Sequence, residues 1–130
     1  MIRTRRQLPR PTEGELELLS ILWEKGPSTV RDVHEAISAR RPLGYTSVLK
    51  LLQIMTEKGL VEREESGKAH IYRASETQQD TQSQILIDMS RRLFAGSAAQ
   101  LAMHALSTQP VSEQELEEIR TLLEKKRKQP

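Results

Sequence analysis

Residues 43–59, LGYTSVLKLLQIMTEKG, constrain the fold more than any other part of the 130-residue chain. At about 100° per residue, Val48, Leu51, Leu52 and Met55 fall on one apolar stripe, the pattern of a helix that packs one side on a core. The other side carries Thr46, Lys50 and Gln53, which donate hydrogen bonds and need no burial. Tyr45 stands at the entry, where a phenol reaches past the first turn. A helix built this way can lie in a DNA groove, with Tyr45, Thr46, Lys50 and Gln53 meeting base edges. It can equally be a surface helix with a solvated face, so its neighbours have to decide.

Upstream, residues 1–11 form a basic arm with Arg3, Arg5, Arg6 and Arg10 alongside Pro9 and Pro11, either a frayed terminus or a supporting phosphate contact. Thr12 and Glu15 then have capping-box spacing, and Leu16, Leu19, Leu22 and Trp23 recur at helical intervals until Gly26-Pro27 supplies a stop. Ser28-Thr29 caps the next helix, with Thr29 and Asp32 repeating the box before Val30, Val33, Ala36 and Ile37. This second helix is short, because Pro42 disfavours helix at Arg41 and Gly44 allows a tight turn. Helix, short helix, turn, helix is the order of a helix-turn-helix, with 43–59 in the recognition position.

Downstream, residues 60–65 and 68–74 are two short segments with partial alternation joined at Ser66-Gly67, the pattern of a β-hairpin. A hairpin directly after a recognition-type helix is the wing of a winged helix. Ser47 on the first turn of that helix, Lys68 at the hairpin tip, and Arg63 and Arg73 along its strands are the candidate phosphate contacts, although Glu62, Glu64 and Glu65 would partly repel a phosphate backbone.

Residues 76–83 are polar, without Gly or Pro, and serve either as a linker or as the first turns of a helix. They give the division expected here: 1–75 as a winged-helix domain with its arm, 76–130 as a helical domain. Ile85, Leu86, Met89, Leu93 and Phe94 form one stripe, and Leu101, Ala102, Ala105 and Leu106 resume it after Gly96-Ser97. A third capping box, Ser112 with Glu115, starts a helix faced by Leu116, Ile119, Leu122 and Leu123. Three helices of this size carry too little mass to close a core alone. A dimer solves that, with Ile85, Met89, Leu93, Phe94, Leu101, Leu106, Leu116, Ile119 and Leu123 at its interface. Folding back on the winged helix is the alternative.

Charge agrees with a nucleic-acid partner placed in the first half. Net charge is only +2, but residues 1–75 hold 13 Lys and Arg against 10 Asp and Glu, and residues 76–130 hold 7 against 8. With no cysteine there is neither a disulfide nor a thiolate metal site. His34, His70 and His104 are far apart, and there is no phosphate loop, nucleophile elbow or HExxH motif, so neither a metal, nor a cofactor, nor an enzyme is expected. No apolar run has the length of a membrane span, so the expectation is a cytoplasmic protein without membrane insertion.

Several of these residues also carry a resemblance. Thr12-Glu13-Gly14-Glu15-Leu16-Glu17-Leu18-Leu19 with Leu22-Trp23, Tyr45-Thr46-Ser47-Val48, and Lys58-Gly59-Leu60-Val61-Glu62-Arg63 resemble the penicillinase-repressor family, the BlaI/MecI/CopY group. Leu93-Phe94-Ala95-Gly96-Ser97 and Leu116-Glu117-Glu118-Ile119-Arg120 are similar to segments flanking its dimerisation helices. The resemblance implies a homodimeric winged-helix repressor on a double-stranded, inverted-repeat DNA operator. For the antibiotic-responsive members it also implies a membrane metallopeptidase sensor that triggers cleavage in the dimerisation region. The matching stretch here contains Met103, His104 and Ala105, where the family's cleaved bond joins Asn to Phe, so either the protease differs or cleavage is not the switch. The copper-responsive branch uses cysteines that this chain lacks. Two rival readings share the fold: a protein-interaction module, and a small-molecule-responsive regulator, which needs a cavity.

Overall fold

The computed structural model describes residues 10–129; Arg3, Arg5 and Arg6 of the basic arm lie outside the described residues. In chain order the elements are α1 (Glu13–Lys25), α2 (Val30–Ser38), α3 (Tyr45–Lys58), β1 (Val61–Ser66), β2 (Ala69–Ala74), α4 (Gln78–Leu93), α5 (Ala98–Thr108) and α6 (Glu113–Arg127). The fold is mainly α with one antiparallel hairpin, as the sequence pattern requires. Residues pack into two units that divide inside α4, the first reaching Leu86 and the second beginning at Ile87.

All three capping boxes form. Thr12, Thr29 and Ser112 each accept the amide N–H three residues on, and Glu15, Asp32 and Glu115 each accept the cap's own N–H. These carboxylates are held below their ordinary pKa. For Asp32 and Glu115 the cap's amide N–H is the main cause.

In the first unit α1 is central, touching α2, α3 and β2. That position widens its buried face beyond the expected stripe: Leu18, Leu19, Ile21 and Leu22 are buried, while Leu16 and Trp23 are only half-buried at its rim. Val33 and Ile37 of α2 and Val48, Leu52 and Met55 of α3 close the core, with Leu51 half-buried beside them. Gly59, at φ 82, ends α3 in the left-handed conformation, and Leu60 N–H returns to the Met55 carbonyl, which turns the chain into the hairpin.

The hairpin is anchored from one side. Val61 and Tyr72 are its buried residues, and Ser28 exchanges both backbone hydrogen bonds with Tyr72 at 2.9 and 2.8 Å, acting as a one-residue third strand. The sequence suggested Ser28 as part of a helix cap; Thr29 alone does that. The turn lies one residue later than expected, with Gly67 and Lys68 at its centre and Ser66 paired to Ala69. Gly67 has φ 62, the conformation a two-residue hairpin needs at its first central position.

Of the two readings left open for residues 76–83, the helical one holds: α4 starts at Gln78, and the Thr77 hydroxyl accepts the Asp80 N–H. The chain before it is tied down as well, because Trp23 Nε1 donates to the Glu76 carbonyl at 2.9 Å.

In the second unit α4 ends at Leu93, and Ala95 and Gly96, both at positive φ, turn the chain into α5. Neither α5 nor α6 contains a buried residue, and the two scarcely touch. Among the described residues no helix is long and apolar enough to cross a membrane.

Candidate nucleic-acid interface

The burial of Val48, Leu52 and Met55 fixes the rotation of α3, and so fixes what its other side presents. Tyr45, Thr46, Ser47, Lys50 and Gln53 are all exposed. Thr46, Ser47, Lys50 and Gln53 have no side-chain partner among the described residues, so binding a groove would break no internal bond. Thr46, Lys50 and Gln53 follow one another at helical spacing. Rising 1.5 Å per residue, they span about 10 Å, some three base-pair steps.

The start of α3 differs from the other helices. Among the described residues, five of the six helices begin with a hydroxyl that accepts an amide N–H of the first turn: Thr12, Thr29, Thr77, Ser97 and Ser112. Helix α3 begins at Gly44, which offers none. Its first N–H groups therefore stay open to solvent, where a phosphate could take them. Proximity to Pro42 and the absence of Ser, Thr, Asp or Asn at position 44 were the legible signal, and the sequence reading passed over it.

Two contacts hold α3 at its ends. At the C-terminal end Lys58 Nζ lies 2.9 and 3.0 Å from the two carboxylate oxygens of Glu15, whose side chain is 2% exposed. Burial pushes the Glu15 carboxyl up, and the Thr12 N–H and the Lys58 ammonium more than offset it, leaving the group below its ordinary value. The two residues are 43 apart in sequence, and no local pattern announces the pair. At the N-terminal end His34 of α2 meets Tyr45 edge to face, with ring centroids 5.7 Å apart and planes at 76°.

The wing does not present its candidates together. Arg63 pairs in register with Tyr72, and Arg73 with Glu62, so the two arginines stand on opposite faces of the ribbon. Arg73 is also engaged, its guanidinium 3.2 Å from Glu62 and 3.3 Å from Glu64. Arg63 and Lys68 have no internal partner among the described residues. Arg41 is paired with Glu17 at 2.7 Å, the bond that chiefly holds the Glu17 carboxyl below its ordinary value.

Of the candidate interface residues in the helical region, Met89, Leu93, Leu106, Leu116 and Leu123 are exposed, and Ile85, Phe94, Leu101 and Ile119 are half-buried. Met103, His104 and Ala105 sit inside α5, exposed, with His104 against the Phe94 ring at a centroid distance of 5.9 Å. Among the described residues no group of three metal-ligating side chains converges. A cleft lined by Gly59, Leu60, Thr81, Gln84 and Ile85 has a volume of about 40 Å³, room for a water or two rather than for an effector molecule.

A three-helix core whose third helix turns a polar face outward, followed by a two-stranded wing, defines a winged helix-turn-helix protein. The family model described as penicillinase repressor matches residues 11–125, and the chain belongs to that family. The transcriptional regulator BlaI of Mycobacterium tuberculosis is 34% identical over 93 residues, 69% of this chain and 67% of that protein. The methicillin resistance regulatory protein MecI of Staphylococcus aureus is 21% identical over 115 residues, 88% of this chain and 94% of its own. Among solved structures, monomeric BlaI of Bacillus licheniformis in complex with the blaP half-operator matches with a TM-score of 0.50 at 18% identity. That match covers 57% of this chain and 90% of the other, and carries the fold.

Proposed function

We infer that this chain is a DNA-binding transcriptional repressor that acts as a homodimer on an inverted-repeat operator. The observation that carries the reading is the exposed, unpartnered polar face of α3, set opposite three wholly buried side chains. Base edges are read by Tyr45, Thr46, Lys50 and Gln53. Ser47, Arg63, Lys68 and the open first turn of α3 contact phosphate and fix the register. Arg73 contributes only if it leaves its two glutamates. The protein works by occupying DNA, and no step of its action calls for catalysis.

The second unit supplies the dimer. Its apolar side chains, with Leu93 at 70% exposure and Leu122 and Leu123 above 55%, find no cover among the described residues. A second copy covers them and sets two reader helices one DNA turn, or a small multiple, apart. Release by proteolysis, with a membrane metallopeptidase as sensor, is the finer part of the reading. The bond between His104 and Ala105 lies in a helix with no buried residue, which opens at little cost; a protease would still have to unwind α5 to reach it.

A mobility-shift titration of Lys50→Ala tests the base reading. Loss of about 1–3 kcal/mol on operator DNA, with little change on scrambled DNA, is expected of a base contact. An equal loss on both would reassign Lys50 to phosphate. For the switch, finding full-length protein released from DNA after the inducing signal removes proteolysis from the mechanism.

A further inference from the structure

Tyr45 is the first residue of α3 and, among the described residues, the only aromatic side chain on the proposed DNA face. Gly44 provides no side-chain cap to order the first turn. A tyrosine there turns about two torsions, and the rotamers differ in where they send the hydroxyl. The residue is 49% exposed, so about half of its surface is covered. The aromatic contact on it comes from α2: the His34 ring meets it at 5.7 Å and 76°, edge to face. His34 is itself half-buried, on a helix clamped into the core through Val33 and Ile37, which are both wholly buried. A rigid element therefore holds one side of Tyr45 and leaves its other side to solvent.

We propose that His34 is a positioning residue for DNA recognition: its ring selects the Tyr45 rotamer that aims the phenol at the groove, and it acts on binding through Tyr45 alone. The proposal rests on the reading of α3 as the DNA-contacting helix. Confining the ring beforehand removes an ordering cost that the complex would otherwise bear. An edge-to-face aromatic pair of this geometry corresponds to roughly three- to tenfold in affinity. The requirement is for an aromatic ring at position 34 and not for an imidazole, so phenylalanine should serve.

The test uses the full-length protein, the duplex it selects from randomised DNA, and a scrambled duplex of the same composition. His34→Ala should weaken binding to the selected duplex roughly three- to tenfold, leave the scrambled duplex nearly unchanged, and keep the same sedimentation mass. His34→Phe should stay within about twofold of the unaltered protein, since it restores the edge contact. In a Tyr45→Ala background, His34→Ala should add nothing, because the residue it positions is gone. Additive losses in that double variant, a His34→Phe protein as weak as His34→Ala, or a His34→Ala protein that binds normally each overturn the proposal. Tyr45→Ala alone separates the two levels: if it binds the selected duplex as the unaltered protein does, the assignment of Tyr45 to the groove fails and takes this role of His34 with it. Thermal melting accompanies every variant, and if His34→Ala melts early, His34→Gln replaces it as the variant without a ring.

Discussion

The two units of this chain are written in the same amphipathic code and use it differently. Among the described residues all twelve buried hydrophobic side chains lie between Leu18 and Tyr72. Beyond Ile87 the buried residue is Ser90, while Leu93, Met103, Leu122 and Leu123 are each more than half exposed. The first unit has layers to set against one another: α1 against α2, α3 and β2, with the hairpin stitched on through Ser28. The second has helices whose apolar faces stay largely exposed among the described residues. Periodicity therefore tells which side of a helix is apolar, but not whether its cover comes from the same molecule.

The largest effect should come from setting this contrast at its extreme. Leu93→Asp or Leu101→Asp places a charge where a partner is proposed to pack. If the second unit is a dimer interface, the sedimentation mass halves. Affinity for the inverted repeat then falls by about 10²–10⁴, the factor that two linked half-sites contribute. If the chain acts alone, Leu93→Asp alters a solvent-facing position and shifts stability by no more than about 0.5 kcal/mol. Unchanged mass and binding would move the interface elsewhere.

A smaller effect is expected inside the closed unit. Lys58→Ala leaves the Glu15 carboxylate buried without its cation, and denaturant unfolding should record a loss of about 3 kcal/mol with the sedimentation mass unchanged. Acid titration gives the sign of the same interaction. The folded pKa of Glu15 lies below its unfolded value, so the contribution is complete above the unfolded value, near 4.3, and disappears as pH falls through the folded one. Glu15→Gln should flatten the acid limb of the stability profile there and leave the neutral region level. A limb of unchanged steepness would assign acid unfolding to the exposed caps, Asp32 and Glu115, whose carboxyls are shifted the same way.

How far the sequence could carry these conclusions depends on the distance between the interacting residues. Most of what lies within about four positions was legible, including three capping boxes, the stop at Gly26, the stripe of α3 and the hairpin after Gly59, although the hairpin turn was placed one residue early. Contacts across the chain were not. Glu15 read as a cap and proved also to be the partner of Lys58, and Ser28 read as a cap and proved to be a strand residue. The broad burial of α1 was equally hidden, since it follows from the number of elements that surround the helix. The faces of the wing, by contrast, follow from the sequence. Any two-residue turn between the strands places Arg63 and Arg73 on opposite faces, because paired positions then sum to an odd number and side chains alternate along each strand.

That alternation supplies the smallest prediction, and the one that sharpens the interface most. Arg63 shares its face with the buried Tyr72 and Val61 and has no acidic partner among the described residues, whereas Arg73 is held between Glu62 and Glu64. The cluster of Arg73 with its two carboxylates carries a net negative charge, so it offers a phosphate backbone nothing unless the arginine changes partners. Removing a true phosphate contact lowers the slope of log affinity against log salt by about 1 and weakens operator and scrambled DNA alike. Arg63→Ala should do this. Arg73→Ala should leave the slope unchanged, and because the ion pairs it breaks are solvent-exposed, stability should move by less than about 1 kcal/mol. A slope that falls for Arg73→Ala and not for Arg63→Ala would turn the wing over, placing its outer face against DNA and the Tyr72 side away from it.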